Sequence, residues 1–143
     1  MNGQTRYLLD TNIVSDLARN PQGRIAECIK AVGAEQVAIS IVVACEIRFV
    51  LDKIDHQISP NRLAANVRRI LAELTVIPLE PPADEHYGDI RSSLQRAGTP
   101  IGPNDLLIAA HARGLGLTLV TDNVREFARV PGLTVENWLE VPG

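Results

Sequence analysis

Four acids in this sequence, Asp10, Glu46, Asp105 and Asp122, occupy positions that could converge, and together they would make a divalent cation site. Carboxylates crowded into one cleft repel, and without a counter-charge they would protonate or stay apart. A hard cation held by oxygen ligands, Mg²⁺ or in its place Mn²⁺, resolves that repulsion. No histidine pair or cysteine cluster favours zinc: His56, His86 and His111 are isolated and read as packing or surface residues. Such a cation site can polarise a phosphate, lower the pKa of a bound water and orient in-line attack. Asn12 and Thr121 could hold the ligating carboxylates or waters from behind. The set points to phosphodiester hydrolysis; spacing alone does not choose between nucleases and phosphatases.

The elements that would position these acids can be read from the pattern around them. Tyr7-Leu8-Leu9 is a short apolar run that stops at Asp10, and Thr11 and Asn12 can cap a helix whose apolar face is Ile13, Val14 and Leu17. Asp10 therefore sits where a first strand hands over to a first helix, the end of a parallel sheet at which ligands bind. Taken alone it would be a turn residue or a cap. A second helix runs from about Gly23 to Val32 and Gly33 ends it; Val37 to Ser40 is a buried strand, and Ser40 can cap a third helix from Ile41 to about Ile54. On that helix Glu46 is flanked at three and four residues by Val42, Val43, Phe49 and Val50, an apolar stripe, whereas Arg48 and Asp52 are spaced to pair on another face. A carboxylate on such a stripe needs either an arginine or a cation.

Ile58-Ser59-Pro60 opens a fourth helix to about Leu74, with Arg62, Arg68 and Arg69 as a solvated face that could alternatively meet RNA. Thr75 to Pro78 reads as a third strand, and Ala83 to about Ala97 as a fifth helix. The rigid loop 98–103 delivers Asn104 and Asp105 to a sixth helix that Gly114 and Gly116 end. Asp105 shares its face with Ile108, Ala109 and Ala112, an inward face, though the helix dipole alone would also favour an acid there. Leu117 to Thr121 is a fourth strand ending at Asp122, then comes a helical turn from Val124 to Ala128. Leu133 to Val135 is an edge strand, with Trp138 packing behind it. Strands alternate with helices throughout, so the chain is α/β with a parallel sheet and right-handed crossovers, and the switch point falls between the first and fourth strands.

Bulk properties set bounds on the partners. A chain of 143 residues, 45% of them hydrophobic, forms one domain and is not disordered. A net charge of -3 excludes a broadly basic nucleic-acid binder but not a local basic rim, and 3% aromatics argue against base stacking. No apolar run approaches a membrane span, and the start of the chain lacks the pattern of a signal peptide. Cys28 and Cys45 fall in apolar helical patterns and read as reduced core thiols, so a cytoplasmic location is expected.

Leu8 to Asn12, the acid-bearing helix after Ser40, the stretch 100–112 (PIGPNDLLIAAHA) and the stretch 120–127 (VTDNVREF) together resemble a PIN-domain ribonuclease, specifically the VapC-type toxin of a toxin–antitoxin pair. The resemblance spans nearly the whole chain, a single PIN domain over 1–143. It implies a three-layer sandwich whose parallel sheet has the order 3-2-1-4-5. It carries the family's acidic positions onto Asp10, Glu46, Asp105 and Asp122, the last being the family's loosest, and its supporting polar positions onto Asn12 and Thr121. It implies an Mg²⁺-dependent endoribonuclease toxin that forms homodimers, and heterotetramers or larger assemblies with a VapB-type antitoxin through which it would associate indirectly with operator DNA. The stretch from Arg129 through Trp138 resembles the branch that cleaves initiator tRNA in the anticodon stem-loop, so tRNA is the implied substrate. A haloacid-dehalogenase-like phosphatase would need an Asp where Asn12 stands and a late catalytic lysine; a response-regulator receiver would need an early acidic pair and the same lysine. Lys30 and Lys53 both precede the late strands. The non-enzymatic alternative is an inactive PIN-like interaction module.

Overall fold

The computed structural model describes residues 4–56 and 61–140. Strands β1 (Tyr7–Leu9), β2 (Val37–Ser40), β3 (Thr75–Ile77), β4 (Thr118–Val120) and β5 (Val135–Glu136) form one all-parallel sheet in the order β3-β2-β1-β4-β5. The expected order 3-2-1-4-5 is thus observed. Leu8, Leu9, Ile39 and Leu119 have no solvent exposure, as expected of strands covered on both faces.

The helices are α1 (Thr11–Arg19), α2 (Arg24–Val32), α3 (Ile41–Asp55), α4 (Arg62–Glu73), α5 (Ala83–Arg96), α6 (Pro103–Leu115) and α7 (Val124–Phe127). The chain steps outward from β1 to β2 to β3, then reverses through β4 and β5. With right-handed crossovers this reversal puts α1 to α4 on one face of the sheet and α5 to α7 on the other. Within these sets α1 lies against α3 and α4, and α5 against α6; α3 and α6 also touch across them. Helix ends follow their sequence signals. Ser40 Oγ accepts from the Val42 N–H at 3.0 Å, and Gly116, with φ 70°, closes α6 in the left-handed conformation that only glycine adopts without cost.

Several expectations need correction. The side chain that caps α1 is that of Asp10 itself, not Thr11 or Asn12. Gly114 lies inside α6 rather than ending it, its bare Cα facing Ala83 and His86 of α5. The edge strand sits at 135–136, just past the expected 133–135, and a 3₁₀ turn at Ala34–Gln36 was not anticipated. Arg48 and Asp52 form no ion pair among the described residues; Arg68 pairs with Asp55 instead. Cys45 is exposed and Cys28 half-buried, so neither is a core thiol. The stripe around Glu46 is buried only at Val42 and Val43; Phe49 is 63% exposed, with none of the described elements covering that side of α3. The expected Ile58-Ser59-Pro60 opening of the fourth helix lies outside the described residues.

Candidate active site

The site is built at the carboxyl edge of the sheet between β1 and β4. The Asp10 N–H continues the ladder by donating to Val120 O at 2.8 Å, which sets the end of β1 beside the end of β4. There Thr121 Oγ1 donates to Asp10 Oδ2 at 2.8 Å, while the Thr11 N–H donates to Asp10 Oδ1 at 2.9 Å. Thr121 Oγ1 also accepts from the Asn123 N–H at 3.0 Å, which fixes the turn after β4. Asp10 is 5% exposed and both its oxygens are fixed. Burial raises its pKa, opposed by those two hydrogen bonds and reinforced by the nearby charges of Glu46 and Asp122.

Glu46 reaches the same cleft from α3. Its Oε1 accepts from Thr11 Oγ1 at 2.6 Å and its Oε2 from Asn104 Nδ2 at 3.4 Å. No arginine pairs with it among the described residues, so the structural salt bridge that the sequence left open is absent. Asp105, in the first turn of α6, lines the cleft with Asp10 and Glu46. Its carboxyl is pushed up to about 7, first by burial, then by the charges of Glu126 and Asp10, by a carboxyl–carboxylate hydrogen bond to Glu126, and by Glu46.

Asp122 follows Thr121 at the end of β4; it is exposed, its charge acts on Asp10, and its Oδ1 accepts from Nδ2 of Asn12, which with Asn123 lines the cleft. Asn12 and Thr121 do hold acids, Asp122 and Asp10 respectively.

Glu126 was not anticipated. Burial works against its charge, but hydrogen bonds from Asn123, the Gly102 N–H and Asp105 outweigh it and hold the carboxyl below its ordinary range. Asn123 Nδ2 lies 2.5 Å from Glu126 Oε2, and the Gly102 N–H lies 3.3 Å from Oε1. The two neighbouring carboxyls therefore shift in opposite directions, Asp105 up and Glu126 down. The signal available in the sequence was an acid one helical turn past the end of a strand that already ends in an acid, a pattern that equally describes a surface residue.

The donor set fits a hard divalent cation. Apart from Arg19, the side chains lining the cleft are carboxylates, hydroxyls and amides, burial and the neighbouring acids push the Asp105 carboxyl up to about 7, and Asn12 Oδ1 is buried without a hydrogen-bond partner. Among the described residues, no three acids, histidines or cysteines close into a ready-made cage. A cation that keeps most of its own waters and takes one or two carboxylates does not need one.

The PIN-domain family model matches residues 7–133. The chain is 35% identical over 133 residues to the tRNA(fMet)-specific endonuclease VapC of Salmonella typhimurium, covering 93% of this chain and 98% of that protein. It is 36% identical over 134 residues to ribonuclease VapC2 of Haemophilus influenzae, covering 94% and 98%. Among solved structures, VapBC2 from Rickettsia felis bound to a promoter DNA fragment superposes with a TM-score of 0.83 at 32% identity, covering 94% of this chain and 99% of that one. DNA-bound VapBC from Salmonella typhimurium superposes at 0.81 with 34% identity, covering 94% and 98%.

Proposed function

The chain belongs to the PIN-domain family, among its VapC ribonucleases, and from that premise we propose that it is an Mg²⁺-dependent endoribonuclease toxin acting on tRNA, initiator tRNA in particular. The observation that carries the reading is the convergence of Asp10, Glu46 and Asp105 from β1, α3 and α6 on one cleft without an ion pair to any arginine among the described residues. A divalent cation, Mg²⁺ or Mn²⁺, held by these three would neutralise the scissile phosphate and make a water more acidic. The chain's own residues do the positioning. Thr121 and the Thr11 N–H fix both oxygens of Asp10, and Thr11 Oγ1 with Asn104 orients Glu46. Asn123 and the Gly102 N–H hold Glu126 beside Asp105, where its charge favours a cation on the Asp105 carboxylate. Asp122, exposed and hydrogen-bonded by Asn12, adds its charge beside Asp10 and is the fourth acid proposed to serve the cation.

The likeness to VapBC complexes supports a VapB-type antitoxin as the partner, with a toxin homodimer assembling into a heterotetramer or larger complex that reaches operator DNA through the antitoxin. Among the described residues no helix is long and apolar enough to cross a membrane, and a cytoplasmic location goes with the proposed substrate. The initiator tRNA assignment leans on the printed specificity of the Salmonella relative. The test is to incubate the purified, antitoxin-free chain with total RNA in Mg²⁺ or EDTA and to sequence the new ends. Cuts confined to the anticodon stem-loop of initiator tRNA, present only with the cation and lost in Asp105→Asn, are expected. Cation-independent cuts would overturn the mechanism, and cuts elsewhere would overturn the substrate.

A further inference from the structure

Among the described residues lining the carboxylate cleft, Arg19 alone is cationic, and nothing in the reaction described so far uses it. It lies in the last turn of α1, on the same line of that helix as Thr11 and Ser15, which also face the cleft. A helical side chain leans over the turn preceding its own Cα, so Arg19 reaches back from the far end of α1 towards Ser15 and the acids. It forms no ion pair with them: among the described residues the ion pairs are Arg68 with Asp55 and Arg113 with Asp89. An exposed guanidinium facing several carboxylates without closing on any of them is held at a distance from them. The bland role for such a residue, satisfying the carbonyls at a helix end, is partly filled by others. The Asn20 N–H takes Asp16 O at 2.8 Å, and Asn66 Nδ2 takes Ala18 O at 3.0 Å. Beyond Arg19 the surface continues as an open trough lined by Asn20, Pro21, Gln22 and Gly23.

We propose that Arg19 binds the RNA phosphate flanking the scissile one, so that the strand runs from the acids along α1 and out over the 20–23 trough; this rests on the ribonuclease reading above. Asp10 and Arg19 stand nine residues apart, about 13 Å of backbone at about 1.5 Å per residue, and the Arg19 side chain leaning back along α1 shortens the span from the acids to the guanidinium. An extended strand covers that in a few nucleotides, so the group contacted is a neighbour of the phosphate being cut. Arginine suits the task because its planar fork takes two phosphate oxygens at once and contacts no base, which gives register without sequence preference. In an acidic protein it also supplies attraction at the one end of the cleft where the carboxylates would otherwise repel the incoming strand.

The test measures Mg²⁺-dependent cleavage of bulk tRNA by the wild type, Arg19→Ala and Arg19→Lys over a range of salt concentrations, with thermal unfolding alongside. For Arg19→Ala, KM should rise about tenfold, the order of one charge-assisted hydrogen bond, with the loss falling on KM rather than kcat. Its log–log salt slope should become shallower by about 0.7, the loss of one phosphate contact to a single strand. Arg19→Lys should keep the slope and recover part of the affinity. A normal KM and salt slope in Arg19→Ala overturns the proposal, and so does a fall in melting temperature with KM unchanged, which would make Arg19 a helix-end residue. Wild type that leaves bulk tRNA intact in Mg²⁺ removes the ribonuclease reading as well; active wild type beside a normal Arg19→Ala removes the Arg19 contact alone.

Discussion

Asp105 carries the clearest consequence of crowding acids into one cleft, because its pKa lies at about 7 rather than 3.8. Between those values the folded, metal-free protein holds a proton that the unfolded chain has shed. Stability therefore falls as pH rises through that window, and the loss is complete above about 7. Asp105→Asn should abolish cleavage yet unfold a few degrees higher than wild type in EDTA at pH 8, with the gap closing near pH 4. A mutant that melts lower at pH 8 would mean Asp105 is held by favourable contacts instead. The same proton competes with a cation, so Mg²⁺ should bind more tightly as pH rises through 7, as calorimetry would read. Glu46→Gln separates a ligand from a core charge: with no arginine to strand, it should lose activity while costing far less than the about 3–5 kcal/mol of a broken buried ion pair. A large fall in its melting temperature in EDTA would show that the carboxylate serves the fold. Asp10 and Asp105 were legible because each follows a signal that fixes its place, a strand end and a rigid loop into a helix. Glu126 was not, since nothing in its spacing reveals that Gly102 and Asn123 fold around it.

At the scale of elements, the acids are only as well placed as the two helices that deliver Glu46 and Asp105. Ser40 and His111 join them: Ser40 Oγ caps α3 and lies 2.8 Å from Nδ1 of His111, which is buried within α6. Ser40→Ala should cost roughly 1 kcal/mol for the cap and about 1–3 more for the orphaned imidazole nitrogen, a fall of several degrees in melting temperature. Burial lowers the pKa of His111, so its contribution is whole above about 6.5 and is lost as pH falls below that. The mutant's deficit should accordingly be larger at pH 8 than at pH 5; an equal deficit would show that His111 takes no part. Strand and helix order was legible because buried parallel strands read as continuous apolar runs and helix ends carry Ser40, Gly33 and Gly116. The outer side of α3 misled, because an apolar residue shows that a surface is to be covered and not what covers it.

That uncovered side matters for the molecule as a whole. Ile41, Phe49 and Val50 of α3 are exposed, and Phe49, Val50 and Cys45 line a shallow groove that ends at Thr11 and Glu46, within the carboxylate cleft. An apolar groove running into an acidic cleft fits a partner segment with an amphipathic helix followed by a cation. In the proposed toxin–antitoxin pair, the helix would bury Phe49 and an arginine would pair with the carboxylates in place of the metal. The two halves of that contact can be separated. Phe49 is 63% exposed, so Phe49→Asp should leave the fold, the cleft and RNA cleavage intact while weakening the antitoxin by a factor typical of a lost hot spot, about thirtyfold or more. Cells expressing the Phe49→Asp chain should stay arrested even when the cognate antitoxin is co-expressed, whereas wild type should be rescued. Excess Mg²⁺ should weaken antitoxin binding to wild type, because cation and arginine compete for the same oxygens. Rescue of Phe49→Asp as complete as that of wild type would place the antitoxin on another face. Binding indifferent to Mg²⁺ would leave the groove contact standing but reduce inhibition to simple obstruction of the RNA path.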